Sequence, residues 1–237
     1  MLATIINALA IVVGGLSGFL FGKLLTEPIQ EGLIKACGIC VIFIGAAGAL
    51  EGMLSIDGRN LVSGGSMLII GCICIGTLLG EWIDIEGWFE RFGAWLKIKS
   101  GNGKDNLFIE GFVTTSITVC IGAMAVVGSI QAGLLGDYST LFTKAVLDFI
   151  IVMMLSCSLG KGCLFSAIPV FLFQGGMTLL AQVLKPIMIP MALSNLSTVG
   201  SILIFCVGVN LVFGKTIRVA NILPAIVIAV AAAFLPF

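Results

Sequence analysis

The stretch TLFTKAVLDFIIVMMLSCSLGKG, residues 140–162, decides the fold class of this chain. From Leu141 to Leu159 only Lys144 and Asp148 carry a charge, and most other side chains are apolar. A helix of about 20 apolar residues is long enough to cross a bilayer core of about 30 Å. The stretch is therefore predicted to be a membrane-spanning helix that contains two opposite charges one turn apart.

The composition of the whole chain indicates the same class. Of its 237 residues, 59% are hydrophobic and 10% are charged, and the mean hydropathy is +1.21. Soluble domains carry about 25% charged residues. The 12 basic and 12 acidic residues balance, so no basic excess predicts a nucleic-acid partner. We expect a single all-α polytopic membrane domain over residues 1–237, with the lipid bilayer as its partner.

Eight apolar windows meet the length requirement for a membrane-spanning helix. They are Thr4–Lys23, Leu33–Leu50, Leu61–Gly80, Phe112–Leu134, Leu141–Leu159, Cys163–Val183, Leu193–Phe213 and Ile217–Phe234. The first lacks a basic leader and a cleavage site, so we expect an uncleaved helix rather than a signal peptide. Seven spans are the alternative, if one window interrupted by Gly or Pro is re-entrant.

Basic residues concentrate in alternate connections between the windows. The odd connections hold Lys23, Lys35, Arg91, Lys97, Lys99, Lys104, Lys161, Lys215 and Arg218, and the even ones hold Arg59, Lys144 and Lys185. Loops rich in Lys and Arg favour the cytoplasmic side. The odd connections are therefore predicted to be cytoplasmic, in a protein of the cell (inner) membrane. Both termini then lie on the outer side, and this orientation requires an even number of spans.

The longest connection contains EWIDIEGWFERFGAWLKIK, residues 81–99, with all three Trp of the chain. Its apolar residues recur every three or four positions, which is typical of an amphipathic helix. Trp favours the membrane interface. We predict an interfacial helix over 81–98 lying flat on the inner leaflet, and a gate or a dimer contact is the alternative.

Weak internal matches suggest a duplication of 1–98 in 135–237. NLVSGGSMLI (60–69) aligns with NLSTVGSILI (195–204), which pairs the third window with the seventh and favours a parallel repeat. KACGICVIF (35–43) also aligns with KAVLDFIIV (144–152), which would invert the second half. Apolar stretches produce such matches by chance, so a parallel repeat, an inverted repeat and no repeat all stay open.

Lys144 and Asp148 are the most informative polar residues. A charge at the bilayer centre costs about 2.5–3.5 kcal/mol even on a lenient scale. Four-residue spacing places both side chains on one helix face, where they can pair, and Lys144 is near enough to the outer end to extend toward water. The alternatives are a structural ion pair, a cation or proton site with Asp148 as ligand or carrier, and a misplaced span boundary.

Uncharged polar residues in the other windows add candidates for a binding site. Gln174 lies near the middle of the sixth window, after the interruptions at Gly160 and Pro169. It is either bonded to a neighbour in a kinked helix or part of a substrate site at broken helix ends. Asn210 and Asn221 are also candidates, because an amide in hydrocarbon needs a hydrogen-bond partner. Asn7 in the first window is a third such amide.

Other sequence features predict packing rather than chemistry. Gly14, Gly18 and Gly22 form a ladder at four-residue spacing, and Gly76 and Gly80 repeat it, which is typical of close helix contacts. The eight Cys lie in or beside apolar windows, where a thiol behaves as a small apolar group. The chain has no His and no P-loop or HExxH motif. No enzyme activity, catalytic residue, cofactor or metal is expected.

Three stretches resemble segments of a known family: CIGAMAVVGSIQAGLLGDYSTLFTKAVLDF (120–149), GCLFSAIPVFLFQGG (162–176) and GKTIRVANILPA (214–225). The family is a bacterial membrane family, domain of unknown function 554. The resemblance extends from the Asn7 region to Pro224. It implies a multi-span inner-membrane protein, but it supplies no substrate and no functional residues.

The sequence therefore supports two hypotheses of different classes. The first is a transporter of a small solute or ion, in which Asp148 and Lys144 form an ion-coupling pair and Gln174, Asn210 and Asn221 bind solute. The second is a non-catalytic membrane scaffold or regulatory subunit. A passive channel is a third option without a filter-like repeat to support it. A homodimer is plausible for a small bundle with Gly-rich faces.

Overall fold

The chain is almost entirely helical, as its apolar windows predict. A computed structural model describes residues 1–22, 26–58, 60–88, 91, 95, 106–120, 123–185 and 189–234. In this part the α-helices are α1 (Leu2–Phe21), α2 (Glu27–Met53), α3 (Ser66–Ile83), α4 (Asn106–Cys120), α5 (Ala123–Leu134), α6 (Ser139–Leu159), α7 (Ala167–Leu184), α8 (Pro190–Phe213), α9 (Val219–Ile222) and α10 (Pro224–Ala232).

A short β-hairpin lies between α2 and α3. Strands β1 (Leu54–Asp57) and β2 (Asn60–Ser63) pair antiparallel, with Leu54 opposite Ser63. Gly58 adopts φ +61°, which a turn residue without a Cβ tolerates. The third apolar window was predicted to begin at residue 61, and that boundary is wrong because its first residues form β2.

The predicted count of eight spans is also wrong. In the described residues, five segments are long and apolar enough to cross a membrane: Leu2–Phe21, Glu27–Met53, Ser66–Trp88, Ser139–Leu184 and Pro190–Phe213. The fourth window is divided between α4 and α5 and the eighth between α9 and α10. The fifth and sixth windows correspond to α6 and α7, which a 3-10 helix at Gly160–Ser166 connects within the segment Ser139–Leu184.

Gly and Pro set several of these boundaries. Gly160 has φ +74° at the end of α6, and Gly214 has φ +83° at the end of α8. Pro190 and Pro224 stand at the first positions of α8 and α10. Proline lacks an amide hydrogen, which the first turn of a helix does not need. The eighth window is therefore two short helices of 4 and 9 residues.

The chain divides into two compact units, Met1–Ala36 with Gly87–Gln182 and Cys37–Glu86 with Val183–Phe237. In the first unit, Gly14 faces Phe149, Gly18 faces Met153 and Gly22 faces Cys157. Both numbers rise together, so α1 and α6 run parallel along the glycine ladder. The predicted role of this ladder in close packing is confirmed. The single domain and its duplication stay predictions.

In the second unit, glycines again mediate helix contacts. Gly76 faces Ala225 and Gly80 faces the backbone of Asn221, so α3 runs antiparallel to α9 and α10. The predicted role of this second ladder is likewise confirmed. Gly45 of α2 packs in the same way against Phe205 of α8. Backbones approach closely here because no Cβ intervenes.

Several predictions fall on residues that the structure does not describe. Most of the predicted interfacial helix beyond Trp88 lies outside the described residues, and so do Lys23, Arg59, Lys97, Lys99 and Lys104 from the orientation argument. The first part of the predicted interfacial helix belongs to the apolar segment Ser66–Trp88. Lys35, predicted to lie in a connection, lies inside α2 and pairs with Glu31.

Candidate functional site

Asp148 is the centre of a buried polar cluster in the first unit. Its side chain projects from α6 and the residue is only 2% exposed. One carboxylate oxygen, Oδ2, accepts hydrogen bonds from Asn7 Nδ2 at 2.9 Å and from Lys144 Nζ at 2.6 Å. The other, Oδ1, accepts from Lys144 Nζ at 2.7 Å. The four-residue spacing predicted this ion pair, and it is confirmed.

Lys144 binds a second helix as well as Asp148. Its Nζ donates to the backbone carbonyl of Val119 at 2.8 Å. Val119 lies in the last turn of α4, where carbonyls have no amide partner within the helix. Lys144 is 5% exposed, so its side chain does not take the route toward water that its position near the span end allows. The carbonyl and the carboxylate hold the ammonium inside the unit.

Asn7 and Gln174 complete the cluster from α1 and α7. Asn7 Nδ2 also donates to Gln174 Oε1 at 3.1 Å, so one nitrogen contacts both Gln174 and Asp148. A straight helix would separate those two residues by about 39 Å. The chain must therefore reverse between them, and the 3-10 helix at Gly160–Ser166 lies between α6 and α7.

The cluster has unused hydrogen-bonding capacity. Asn7 and Gln174 are both 0% exposed. Among the described residues, Asn7 Oδ1 and Gln174 Nε2 have no hydrogen-bond partner. A buried polar atom without a partner costs about 1–3 kcal/mol. One spare acceptor and one spare donor therefore remain beside the ion pair.

Every fourth residue of α6 from Thr140 to Ser156 is buried, and all of these residues except Val152 are polar. Thr140 donates to Gln131 Oε1 at 2.7 Å, and Ser156 donates to the Gly15 carbonyl at 2.8 Å. With Lys144 and Asp148, they form a polar stripe. Val152 interrupts it, at 0% exposure. Val152 packs with Ile11, Val119, Cys163, Ala167 and Val170 in an apolar layer.

An open groove lies beyond this layer. It has a volume of about 500 Å³, and its lining includes Phe108, Ser156, Cys157, Gly160 and Lys161. Ser156 belongs to both the groove and the polar stripe. Asp148 stands two helical turns away from it on the same face, with Val152 between them. The apolar layer therefore separates the groove from the charged cluster.

Asn210, a predicted solute ligand, lies in the second unit and stabilises a turn. Its Oδ1 accepts from the amides of Thr216 and Ile217 at 3.0 and 2.9 Å, and its Nδ2 donates to the Ile217 carbonyl at 2.7 Å. These contacts hold the chain after α8 ends at Phe213. A role in binding solute stays a prediction for this residue.

Asn221, the other predicted amide, also lies in the second unit. Its Oδ1 accepts from the amide of Glu86 at 2.7 Å. Nearby, Lys215 pairs with Glu86 at 2.8 Å, and Arg218 pairs with Glu81 and Asp84. The hydrogen bond with Asp84 is the main reason that the pKa of Arg218 is raised above its ordinary value, and the charges of Glu81, Asp84 and Glu86 add to it.

The site in the first unit thus brings together three of the five predicted residues: Asp148, Lys144 and Gln174. Sequence reasoning noted the amide of Asn7 but left it out of the binding residues. Its signal was the same as that of Asn210, an amide within an apolar window. The Val119 carbonyl left no signal, because any residue at that position supplies one.

Comparison with known proteins gives relatives along the whole chain. Residues 2–234 match a family described as protein of unknown function (DUF554). The uncharacterized membrane protein YdfK of Bacillus subtilis (strain 168) is 30% identical over 228 residues, which cover 96% of this chain and 93% of YdfK. The uncharacterized protein YqgA of Escherichia coli (strain K12) is 26% identical over 228 residues, or 94% and 92% of the two chains. No solved structure matches.

Proposed function

The chain belongs to the DUF554 family, and we propose that this member is a transporter of a small solute or ion. The observation that carries the proposal is the buried cluster of Asp148, Lys144, Asn7 and Gln174, with its spare donor and acceptor. These groups come from α1, α6 and α7, and the Val119 carbonyl adds α4. Groups from several helices that converge at one point are typical of binding sites in helical bundles.

Stability alone is a poor reason for such a cluster. A buried ion pair contributes little to folding, because desolvation offsets most of the attraction between the charges. Apolar residues of similar volume would often serve as well. Ionisable residues inside membrane segments mark ion and substrate pathways by default. The Lys144–Asp148 pair therefore supports a binding centre rather than a packing element.

The polar stripe of α6 supplies a route to this centre. It runs from Thr140 to Ser156, about 24 Å at 1.5 Å per residue, which is most of a bilayer core of about 30 Å. Only the Val152 layer interrupts it. In a transporter, such a layer opens and closes access to a central site as helices move. In this proposal, the described arrangement is a state in which the site is closed toward the groove.

A flux assay tests the proposal directly. Purified protein is reconstituted in liposomes, and uptake of alkali cations, protons and a panel of small solutes is measured. At least one species should enter faster than in empty liposomes, and Asp148→Asn should abolish that flux. Glu31→Gln, which removes a charge from the exposed Lys35–Glu31 pair of the same spacing, is the matched control.

Two outcomes would contradict the proposal. Full flux in Asp148→Asn would remove Asp148 from the mechanism. No flux for any species would favour the alternative, a scaffold or regulatory subunit, which predicts a partner protein on co-purification. The proposal also places the protein in the cell membrane, with the odd connections in the cytoplasm and both termini outside. It further includes a homodimer, which cross-linking in native membranes tests.

A further inference from the structure

The Lys144 ammonium already occupies a small oxygen shell. Its Nζ lies 2.7 and 2.6 Å from the two Asp148 carboxylate oxygens and 2.8 Å from the Val119 carbonyl oxygen. All three ligands are oxygens, and they come from two different helices. Carboxylate and carbonyl oxygens are the ligands that hard metal cations prefer.

Asn7, Gln174 and Thr4 carry further buried oxygens in the first unit. Asn7 Oδ1 belongs to the amide that contacts Asp148, and it has no partner in the described part of the chain. Gln174 Oε1 accepts only from Asn7 there. Thr4, one helical turn before Asn7, is 0% exposed, and its hydroxyl also has no partner within the described ranges. Asn7 Oδ1 is thus an unused buried acceptor on the amide that contacts the carboxylate, and a cation is one ligand that would satisfy it.

We propose that Asp148, Val119, Asn7 and Gln174 form a monovalent-cation site in which the Lys144 ammonium is a tethered competitor. This inference deepens the proposed function, and it rests on that proposal because both take the Asp148 cluster as the binding centre. A free alkali cation takes the position of Nζ between Asp148 and Val119, and the amide oxygens complete its shell.

The displaced Lys144 has a second place to go. Side chains of an α-helix tilt toward its N-terminus, which for Lys144 is the direction of Thr140. Thr140 is bonded to Gln131 Oε1, and both residues are buried, at 6% and 4% exposure. The ammonium therefore moves one turn along the polar stripe and takes Gln131 Oε1 as its acceptor. Cation binding and Lys144 movement are coupled in this way.

Burial and charge favour a small monovalent ligand. The four polar side chains of the cluster are at most 5% exposed, so the cluster has no open access for a solute molecule. Divalent cations usually take several carboxylates. The described residues contain no cluster of three or more Cys, Asp or Glu that could hold a metal ion, and this site has a single carboxylate. Once the Lys144 ammonium has moved to Gln131, the single carboxylate left at this position matches one monovalent cation.

The test removes the Lys144 ammonium by mutation and asks whether a free cation takes its place. Lys144→Met in detergent leaves Asp148 without a countercharge, so a free cation should stabilise the variant. Thermal unfolding is measured in sodium, potassium or lithium chloride and in N-methylglucamine chloride at equal ionic strength. At a hundredfold excess of the bound cation over its Kd, we expect Tm to rise by about 5–10 °C. The wild-type protein should respond less, because its own ammonium competes.

Two controls isolate the carboxylate. Lys144→Met/Asp148→Asn should lose the dependence on alkali cations. Lys35→Met, which breaks the exposed pair of the same spacing, should show none. If Lys144→Met does not fold in any salt, binding of radioactive sodium or rubidium to the wild-type protein replaces it, and saturable binding that Asp148→Asn abolishes is the expected result.

The outcomes separate this inference from the proposed function. Equal Tm values in alkali and N-methylglucamine salts would overturn the cation site, and so would an alkali effect that persists in the double variant. In the isotope measurement, the absence of saturable binding would overturn it. Those results would not contradict the flux that the proposed function predicts in liposomes. Cation binding without any flux would instead overturn the proposed transport and leave the site in place.

Discussion

The side-chain amide of Asn7 donates to the carboxylate of Asp148 at 2.9 Å, across 141 residues of sequence. The same nitrogen donates to Gln174, so Asn7 joins α1 to both α6 and α7. The bond stabilises a buried carboxylate by supplying a donor in place of water. One small side chain therefore links three helices of the first unit.

We predict that Asn7→Ala destabilises the protein by about 1–3 kcal/mol, because Gln174 Oε1 and Asp148 Oδ2 each lose a donor in a buried site. Thermal unfolding in detergent measures the change. Ser17→Ala is the matched control on the same helix, since the Ser17 hydroxyl donates to the Val13 carbonyl of that helix. Equal stability of Asn7→Ala and the wild-type protein would show that the bond contributes nothing.

Gly18 gives a prediction about packing rather than polarity. A methyl group at this position would overlap the backbone of Met153, which cannot move aside as a flexible side chain could. Gly18→Ala should therefore separate α1 from α6 and cost about 1–3 kcal/mol or more. Gly176→Ala on α7, where no atom of the described residues lies within 4 Å of an added Cβ, should leave stability nearly unchanged. Similar Tm shifts for both variants would contradict the parallel packing.

Hydropathy was sufficient to predict the fold class but not the number of spans. The windows near α1, α2 and α8 correspond to single helices because their apolar character is continuous. The window at Leu61–Gly80 includes strand β2, since Leu61 and Val62 are as apolar as helix residues. Hydropathy windows also cannot show that a 3-10 helix begins at Gly160 and connects α6 to α7.

The site was predictable only where its residues are close in sequence. Lys144 and Asp148 pair because four-residue spacing fixes their relation on one helix. Gln174 and Asn7 join them through the reversal between α6 and α7 and the parallel packing of α1, which are tertiary features. The bonds from Asn210 to a turn six and seven residues later were equally hidden, because they depend on how the chain folds after Gly214.

Val152 should control access between the groove and Asp148. It is the single apolar position in the stripe that runs from Thr140 to Ser156, and it is 0% exposed. Val152→Ser adds a hydroxyl there, so water can enter the apolar layer. We predict a cation leak in proteoliposomes, seen as faster collapse of an imposed potassium gradient than in the wild-type protein.

The matched control for the leak is Val146→Ser on the opposite face of the same helix, where the side chain is 61% exposed in the isolated chain and would face lipid. This variant should retain the wild-type gradient. A leak in both variants would indicate general loosening of α6. No leak in Val152→Ser would show that the apolar layer does not limit access.

Cys157 tests both the groove and the predicted orientation. It lines the groove beside Lys161, a basic residue of the connections predicted to be cytoplasmic, whereas Cys163 is 0% exposed in the apolar layer. In variants that keep one of these thiols and replace the other seven cysteines, a membrane-impermeant maleimide should label Cys157 but not Cys163. Labelling should occur in inside-out vesicles and not on intact cells. Labelling of Cys157 from outside intact cells would reverse the orientation, and equal labelling of both thiols would contradict the sealed layer.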